Sequence, residues 1–389
     1  MFGYGDLKEK LMTQKLYYEN QYIKEFTATV VSCAEGKRGF EVILDKSAFF
    51  PEGGGQPGDT GYIGNARVID TVESGEDVMH ICSEAVEGEV ECRLDFERRF
   101  LHMQQHTGEH MISGIIHSLT GFDNVGFHMG ETSITVDFNG VVTAEILEKA
   151  ELLSNQAIYK NIPVENLLPT DEELADYDYR SKKELTGQVR LTRIEGVDLC
   201  ACCGTHVAFT GEVGLIKVIS VMNYKSGVRI TLQIGEKALE DYKGKNKSVL
   251  EISALLKAKA EEVVPAVERV MAQLQEARYQ YSGLKKELFS YKIKDIEGET
   301  VFMFDDVGSS DDARILGDML AEKVKIAAVF SGDDENGYKY AIVSRTEDVR
   351  AIGKELNAVC NGRGGGKPDM VQGSVAATKA QIEEFRNKI

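Results

Sequence analysis

The 389-residue sequence has no tryptophan and only 6 prolines, and no stretch approaches the roughly 18 apolar residues of a membrane-spanning helix. A helical membrane protein is excluded on that ground, and no membrane partner is expected. The opening segment MFGYGDLKEKLMTQKLYYEN lacks an apolar run behind a basic start, so it does not read as a secretory leader and a cytoplasmic location is expected. Positive charge is also scarce. Lys and Arg number 45 against 63 Asp and Glu, a net charge of −18, which excludes a nucleic-acid binder held by net charge; any RNA contact must be local and basic. Cysteine is odd in number, 7, and scattered apart from one cluster at 200–203, so a secreted disulfide framework is excluded and free thiols with one metal or redox cluster fit better. The length exceeds what one hydrophobic core serves, and two to four domains are expected.

Along the chain, FTATVVSCAEGKRGFEVILDKSAFF (26–50) alternates apolar and polar residues about a glycine-containing turn and reads as a β-hairpin. PEGGGQPGDTG (51–61) follows. It lacks the GK[ST] ending of a phosphate loop, and reads either as a tight connection between strands or as a substrate rim formed by Gly54, Gly55 and Gln56. From 97 to 120 the pattern is helical, with Phe100, Met103, Met111, Ile115 and Leu119 near one stripe. A strand over 131–138, an amphipathic helix over 143–160 and two strands within 214–235 are expected next. Residues 243–294 carry 11 Lys and Arg against 6 Asp and Glu, and repeat apolar or small residues in heptads through Val249, Leu256, Val263, Val270, Ala277 and Leu284, with Val267, Leu274, Tyr281 and Leu288 four on. That is a coiled-coil or helix-hairpin seam, and Pro265 predicts two helices meeting near 260–265 rather than one rod. The last part alternates strands and helices and contains a second glycine-rich loop, NGRGGGKPDMVQGS (361–374), with Arg363 and Lys367 in it.

The chemistry concentrates in two places. His106 and His110, four apart on the predicted helix, face one way and can offer two imidazoles to one ion. The motif is not HExxH, because Glu109 adjoins His110, so a metallopeptidase with a glutamate base loses support. The second place is CACCGTH (200–206). Cys200 with Cys203 has the spacing of a redox pair, but Gly and β-branched residues follow instead of a helix. For a metal, Cys202 with His206 and Cys203 with His206 are both possible, and spacing does not choose. Three imidazoles and a thiolate suit zinc.

ERRFLHMQQHTGEHM, then CCGTHV some ninety residues on, preceded by FFPEGGGQPGDTG, closely resembles the editing domain of alanyl-tRNA synthetases and the freestanding AlaX proteins; NGRGGGKPDMVQGS resembles the glycine-rich signature of the DHH-associated domain. The long AlaX form is the nearest pattern, and the roughly ninety residues before the histidine pair are too few for an aminoacylation domain. The resemblance implies an α+β multidomain protein: an N-terminal β-barrel-like domain (1–92), a zinc editing domain (93–236), a helical coiled-coil linker (237–294) and a C-terminal α/β DHH-associated domain (295–389). It further implies one zinc held by His106, His110, Cys202 and His206, and a pocket residue at His128; the Thr205 hydroxyl, next to the metal ligand His206, is a second candidate for contact with the amino acid. The activity it implies is hydrolysis of tRNA(Ala) mischarged with serine or glycine. Arg363 and Lys367 would hold RNA, and the helical linker or C-terminal domain a homodimer. The family's element is C-G-G-T-H, and here Cys203 stands at the first glycine; if that position demanded positive φ, a cysteine would be strained. The rival expectations are a non-catalytic, zinc-stabilised RNA-binding protein and a zinc hydrolase of small esters.

Overall fold

The computed structural model describes residues 12–130, 132–181, 188–305 and 309–388. They form a mixed α/β multidomain protein that divides into two compact units, Met1–Glu251 and Ile252–Ile389. Most of the N-terminal segment read for a leader lies outside the described residues. No described helix is long and apolar enough to cross a membrane.

In the first unit the expected hairpin is β1 (Glu25–Gly36) and β2 (Gly39–Leu44), joined through Lys37 and Arg38. With β3 (Gly61–Ile63), β4 (Ala66–Ser74), β5 (Asp77–Cys82) and β6 (Glu89–Leu94) it makes a closed barrel in the order β1-β2-β5-β4-β3-β6, in which β6 returns to β1. Alternation along the strands sends Val42, Leu44, Ile63, Val68, Cys82, Cys92 and Leu94 inward around Phe49, which explains why two of the scattered cysteines behave as small apolar residues.

Helix α1 (Phe96–Thr120) follows the barrel and ends at Gly121, whose φ of 73° closes the last turn. The single apolar stripe expected of it is too narrow a description. Its middle is buried on every side, because Gly108 and Gly114 admit neighbours on two faces: a Cβ on Gly108 would meet Ile234 at 2.6 Å, and one on Gly114 would meet the Val197 carbonyl at 2.5 Å. The neighbours are a four-stranded sheet, a helix and a three-stranded sheet. The first has the order β12-β13-β8-β7, from β7 (Asn124–Met129), β8 (Ile134–Phe138), β12 (Ile216–Tyr224) and β13 (Gly227–Ile234). The helix is α2 (Ala144–Lys160), capped by the Thr143 side chain. The small sheet consists of β9 (Val164–Leu167), β10 (Leu191–Ile194) and β11 (Asp198–Ala201). Of the strand expected over 131–138, residue 131 lies outside the described residues. The barrel is tied to α1 by Arg99, fully buried, which pairs with Asp59 and donates to the carbonyls of Ala48 (2.6 Å) and Gln21 (3.1 Å). That pair fixes the 51–61 segment against the helix that carries His106.

Helix α3 (Glu236–Leu256) crosses from the first unit into the second. The predicted break is present: α3 stops at Leu256, Lys257 takes φ of 51°, and α4 (Val263–Lys292) begins with Pro265 in its first turn. Within α4 only Ala266 and Phe289 are buried, and the heptad residues Val270, Leu274, Leu284 and Leu288 stay exposed. The rest alternates three helices (Ser310–Leu320, Arg350–Val359 and Lys379–Arg386) with a five-stranded sheet of order β14-β15-β16-β18-β17, from β14 (Thr300–Asp305), β15 (Ile326–Asp333), β16 (Gly337–Val343), β17 (Gly362–Lys367) and β18 (Met370–Val375). The segment 361–374 is therefore a hairpin, not the loop expected from its glycines. The glycines of β17 let it lie close to β18, since a Cβ on Gly366 would collide with the Met370 carbonyl and one on Gly364 with the Gln372 carbonyl.

Candidate metal centre

Helix α1 presents His106 and His110 from successive turns, and the loop after β11 presents Cys202 and His206 to the same point. The nearest ligand atoms of the four all lie within 4.8 Å of one another. Cys202 Sγ is 3.4 Å from both His106 Nε2 and His206 Nε2, and the His106 and His206 rings are 4.6 Å apart. The two registers left open by spacing are distinguished here by position. Cys202 points inward, Cys203 is exposed, and Cys200 is buried in β11. Gly204 makes the approach possible, because a Cβ there would collide with the His106 ring. The non-glycine described residues with positive φ are Asn161, Lys225, Lys257 and Asn361, so Cys203 sits in ordinary backbone and the strain foreseen for it does not arise.

Each imidazole is held from outside by its other nitrogen. His106 Nδ1 donates to Gln56 Oε1 at 3.0 Å and His110 Nδ1 to Asp198 Oδ2 at 2.9 Å, and His206 Nδ1 is hydrogen-bonded with the Thr107 hydroxyl at 3.2 Å. For His106 and His110, whose partners only accept, this arrangement selects the tautomer that leaves Nε2 facing the centre, as metal-binding histidines require. His110 Nε2 is buried without a hydrogen-bond partner, a cost the chain bears unless a cation occupies the centre. The donor set, three nitrogens and one sulfur, fits a tetrahedral zinc.

Charge at the centre follows from these contacts. Burial pushes the Cys202 thiol up, but the imidazoles of His106, His110 and His206 outweigh it and hold it well below the usual thiol value. For His110, burial works against the cation, yet the Cys202 sulfur and the Asp198 carboxylate raise it to about 9. Burial takes His206 down to about 3. Asp198 is pushed up by burial and pulled down further by His110 and Arg180, with a net lowering. Arg180 grips it with both nitrogens, at 2.8 and 3.0 Å.

The glycine-rich segment departs from its expected role. Gly54 and Gly55, with φ of 60° and 85°, are exposed, but Gln56 is fully buried behind the cluster rather than on a rim. Besides His106, its Oε1 accepts from the Thr205 N–H at 3.1 Å, and its Nε2 donates to Thr205 Oγ1 at 2.8 Å. Thr205 is thus buried beside the centre with its oxygen already engaged. His128 is exposed on β7, and the neighbouring Phe127, on the opposite face of the strand, packs 5.3 Å from the His106 ring. Glu109 accepts from Ser113 Oγ at 2.7 Å and from Asn124 Nδ2, which makes it a packing group. Arg363 and Lys367 are exposed on β17 in the other unit. Sequence reasoning missed Thr107, Arg180 and Asp198. Only Asp198 left a trace: strand alternation puts it with Cys200 on the buried face of β11.

Two family descriptions match the chain: the threonyl and alanyl tRNA synthetase second additional domain over residues 189–247, and the DHHA1 domain over 298–389. The alanyl-tRNA editing protein AlaX-L of Pyrococcus horikoshii is 29% identical, over 95% of this chain and 96% of its own. The alanyl-tRNA editing protein Aarsd1-A of Xenopus laevis is 28% identical over the same shares. The alanine–tRNA ligase of Pyrococcus abyssi is 30% identical over 97% of this chain but only 44% of its own length. Over nearly its whole length the chain is similar to alanyl-tRNA editing proteins, AlaX-L among them, and to less than half of a ligase, and it carries a DHHA1 match at its C-terminal end.

Proposed function

We propose that the chain is a trans-editing deacylase that hydrolyses the aminoacyl ester of tRNA(Ala) mischarged with serine, and also with glycine, using one zinc held by His106, His110, Cys202 and His206. The observation that carries the reading is the convergence of those four side chains, each imidazole pinned by an outer partner so that Nε2 points inward. When bound, zinc supplies a positive charge that can polarise the ester carbonyl or anchor the substrate's amino or hydroxyl group. The residues of the chain do the rest. Gln56 orients His106 and Thr205 together, so the histidine on the helix and the loop carrying Cys202 move as one body. The Thr205 hydroxyl hydrogen remains available, and it is the polar group we assign to the serine hydroxyl in place of the exposed His128. A site that satisfies that hydroxyl leaves a buried polar group unpaired with alanine, which is how correctly charged tRNA is spared. The reading predicts that purified protein deacylates Ser-tRNA(Ala) and leaves Ala-tRNA(Ala) intact, measured by release of labelled amino acid. Binding of both without hydrolysis would favour the non-catalytic RNA-binding alternative.

In this reading the chain divides at 92/93, 236/237 and 294/295, into barrel, editing domain, helical linker and C-terminal domain. Arg363 and Lys367, exposed on the glycine-rich strand β17, contact tRNA phosphates, and the exposed heptad row of α4 pairs with a second copy of the chain. Replacing both basic residues by Ala is expected to lower the slope of log affinity for tRNA against log salt by about 1 to 2, read from filter binding across a salt series. An unchanged slope would assign that face to another task.

A further inference from the structure

The one-turn helix Leu16–Glu19 sets two tyrosines side by side over the loop of the metal centre, with ring centroids 4.6 Å apart. Tyr17 is buried, edge-on to Phe50 at 5.5 Å. Tyr18 is not: 37% of it is open to solvent. Its ring lies 4.9 Å from the guanidinium of Arg190, and that guanidinium donates to the carbonyls of Cys202 (3.0 Å) and Gly204 (2.9 Å). In return the Cys202 N–H donates to the Arg190 carbonyl at 2.9 Å. Tyr18, Arg190 and the Cys202–Gly204 turn therefore form one connected unit, with the inward thiol of Cys202 on one side and an open aromatic surface on the other. The other aromatic at the cluster, Phe127, is packed on His106 and against the Gly55 backbone, where a Cβ would come within 2.7 Å of its ring. It is partly buried in that packing and belongs to the wall of the core.

We propose that Tyr18, backed by Arg190, is the stacking platform for the terminal base of the tRNA acceptor end. The proposal rests on the aminoacyl-tRNA reading above. An aminoacyl ester sits on the ribose of the terminal nucleotide, so when the ester reaches the cluster the base lies one sugar away, at the rim of the same loop. Every base offers a π face, and exposed aromatic rings with neighbouring guanidinium planes are the surfaces that take single-stranded bases. Tyr18 is a positioning residue here: it orients the ester by holding the base, and touches no reacting atom.

The test compares Tyr18→Ala and Tyr18→Phe with the wild-type full-length protein, each loaded with zinc and assayed for metal content. In Tyr18→Ala the KM for Ser-tRNA(Ala) is expected to rise roughly 5- to 160-fold, the span of one base–aromatic stack, with kcat little changed. Tyr18→Phe should restore the wild-type KM. Calorimetric titration with the trinucleotide CCA should show the same loss of affinity in the Ala variant and its recovery in the Phe variant. Loss of zinc or an equal fall in kcat in Tyr18→Ala would mean that the tyrosine only props the loop, and would overturn the proposal. So would an unchanged KM, or trinucleotide binding that is absent or indifferent to Tyr18. If wild-type protein hydrolyses no Ser-tRNA(Ala) while CCA binding still depends on Tyr18, the deacylase reading fails and the base platform stands.

Discussion

His106→Ala is expected to reduce bound zinc from one per chain to near none and to take Ser-tRNA(Ala) deacylation down by more than about 100-fold, beyond the 10- to 100-fold that loss of an outer partner costs. Three losses coincide in that variant. The centre loses a nitrogen donor, the Cys202 sulfur loses the imidazole 3.4 Å away, and the buried Gln56 loses the ring it holds at 3.0 Å. Metal content by atomic absorption and deacylation on the same preparation check it, with circular dichroism to verify the fold. Full activity in a zinc-free His106→Ala protein would sink the metal reading outright. The companion measurement concerns the thiols. In cobalt-substituted protein the sulfur-to-metal absorption band should vanish in Cys202→Ser and persist in Cys203→Gly, because only Cys202 points into the cluster while Cys203 is exposed.

The second large effect belongs to a pair absent from the motif. Asp198→Asn should weaken zinc binding roughly 10- to 100-fold, measured by competition with a chelator. The carboxylate orients His110 and is itself clamped by Arg180, whose side chain is only 11% exposed. Asparagine leaves that guanidinium buried beside a cationic centre, so a loss of about 3–5 kcal/mol in stability toward urea is expected as well. Adding Arg180→Gln separates the two contributions: stability should return in part, because no charge is left unpaired, while zinc affinity should not, because His110 still lacks its carboxylate. If zinc affinity in Asp198→Asn equals that of the wild type, the pair merely packs.

Much of the secondary structure follows from local periodicity. The helix carrying the histidines, the first hairpin of the barrel, helix α2, strands β12 and β13 and the break before Pro265 all lie where hydrophobic spacing and a proline put them. Glycine-rich stretches were less legible. In 361–374 the glycines pointed to a loop, yet they allow two strands to lie close together; in 51–61 they pointed to an open rim, yet Gln56 turns inward and is buried. His128 and Phe127 show the limit in another way. A histidine is the chemically conspicuous residue, but strand alternation turns Phe127 toward the cluster and His128 to solvent.

That His106 and His110 share one helical face, and that a thiol and a third imidazole stand close together in a short loop, follows from residue order alone, because a helix repeats every 3.6 residues and a short loop cannot separate its ends. Which of three cysteines enters, and which groups hold the imidazoles in place, depends on packing between distant parts of the chain. Cys202 is chosen where Gly204 lets the loop reach His106, and Gln56 and Asp198 arrive from 50 and 88 residues away along the chain. No local period encodes contacts over such distances; they exist because the barrel and the small sheet close on the same buried helix.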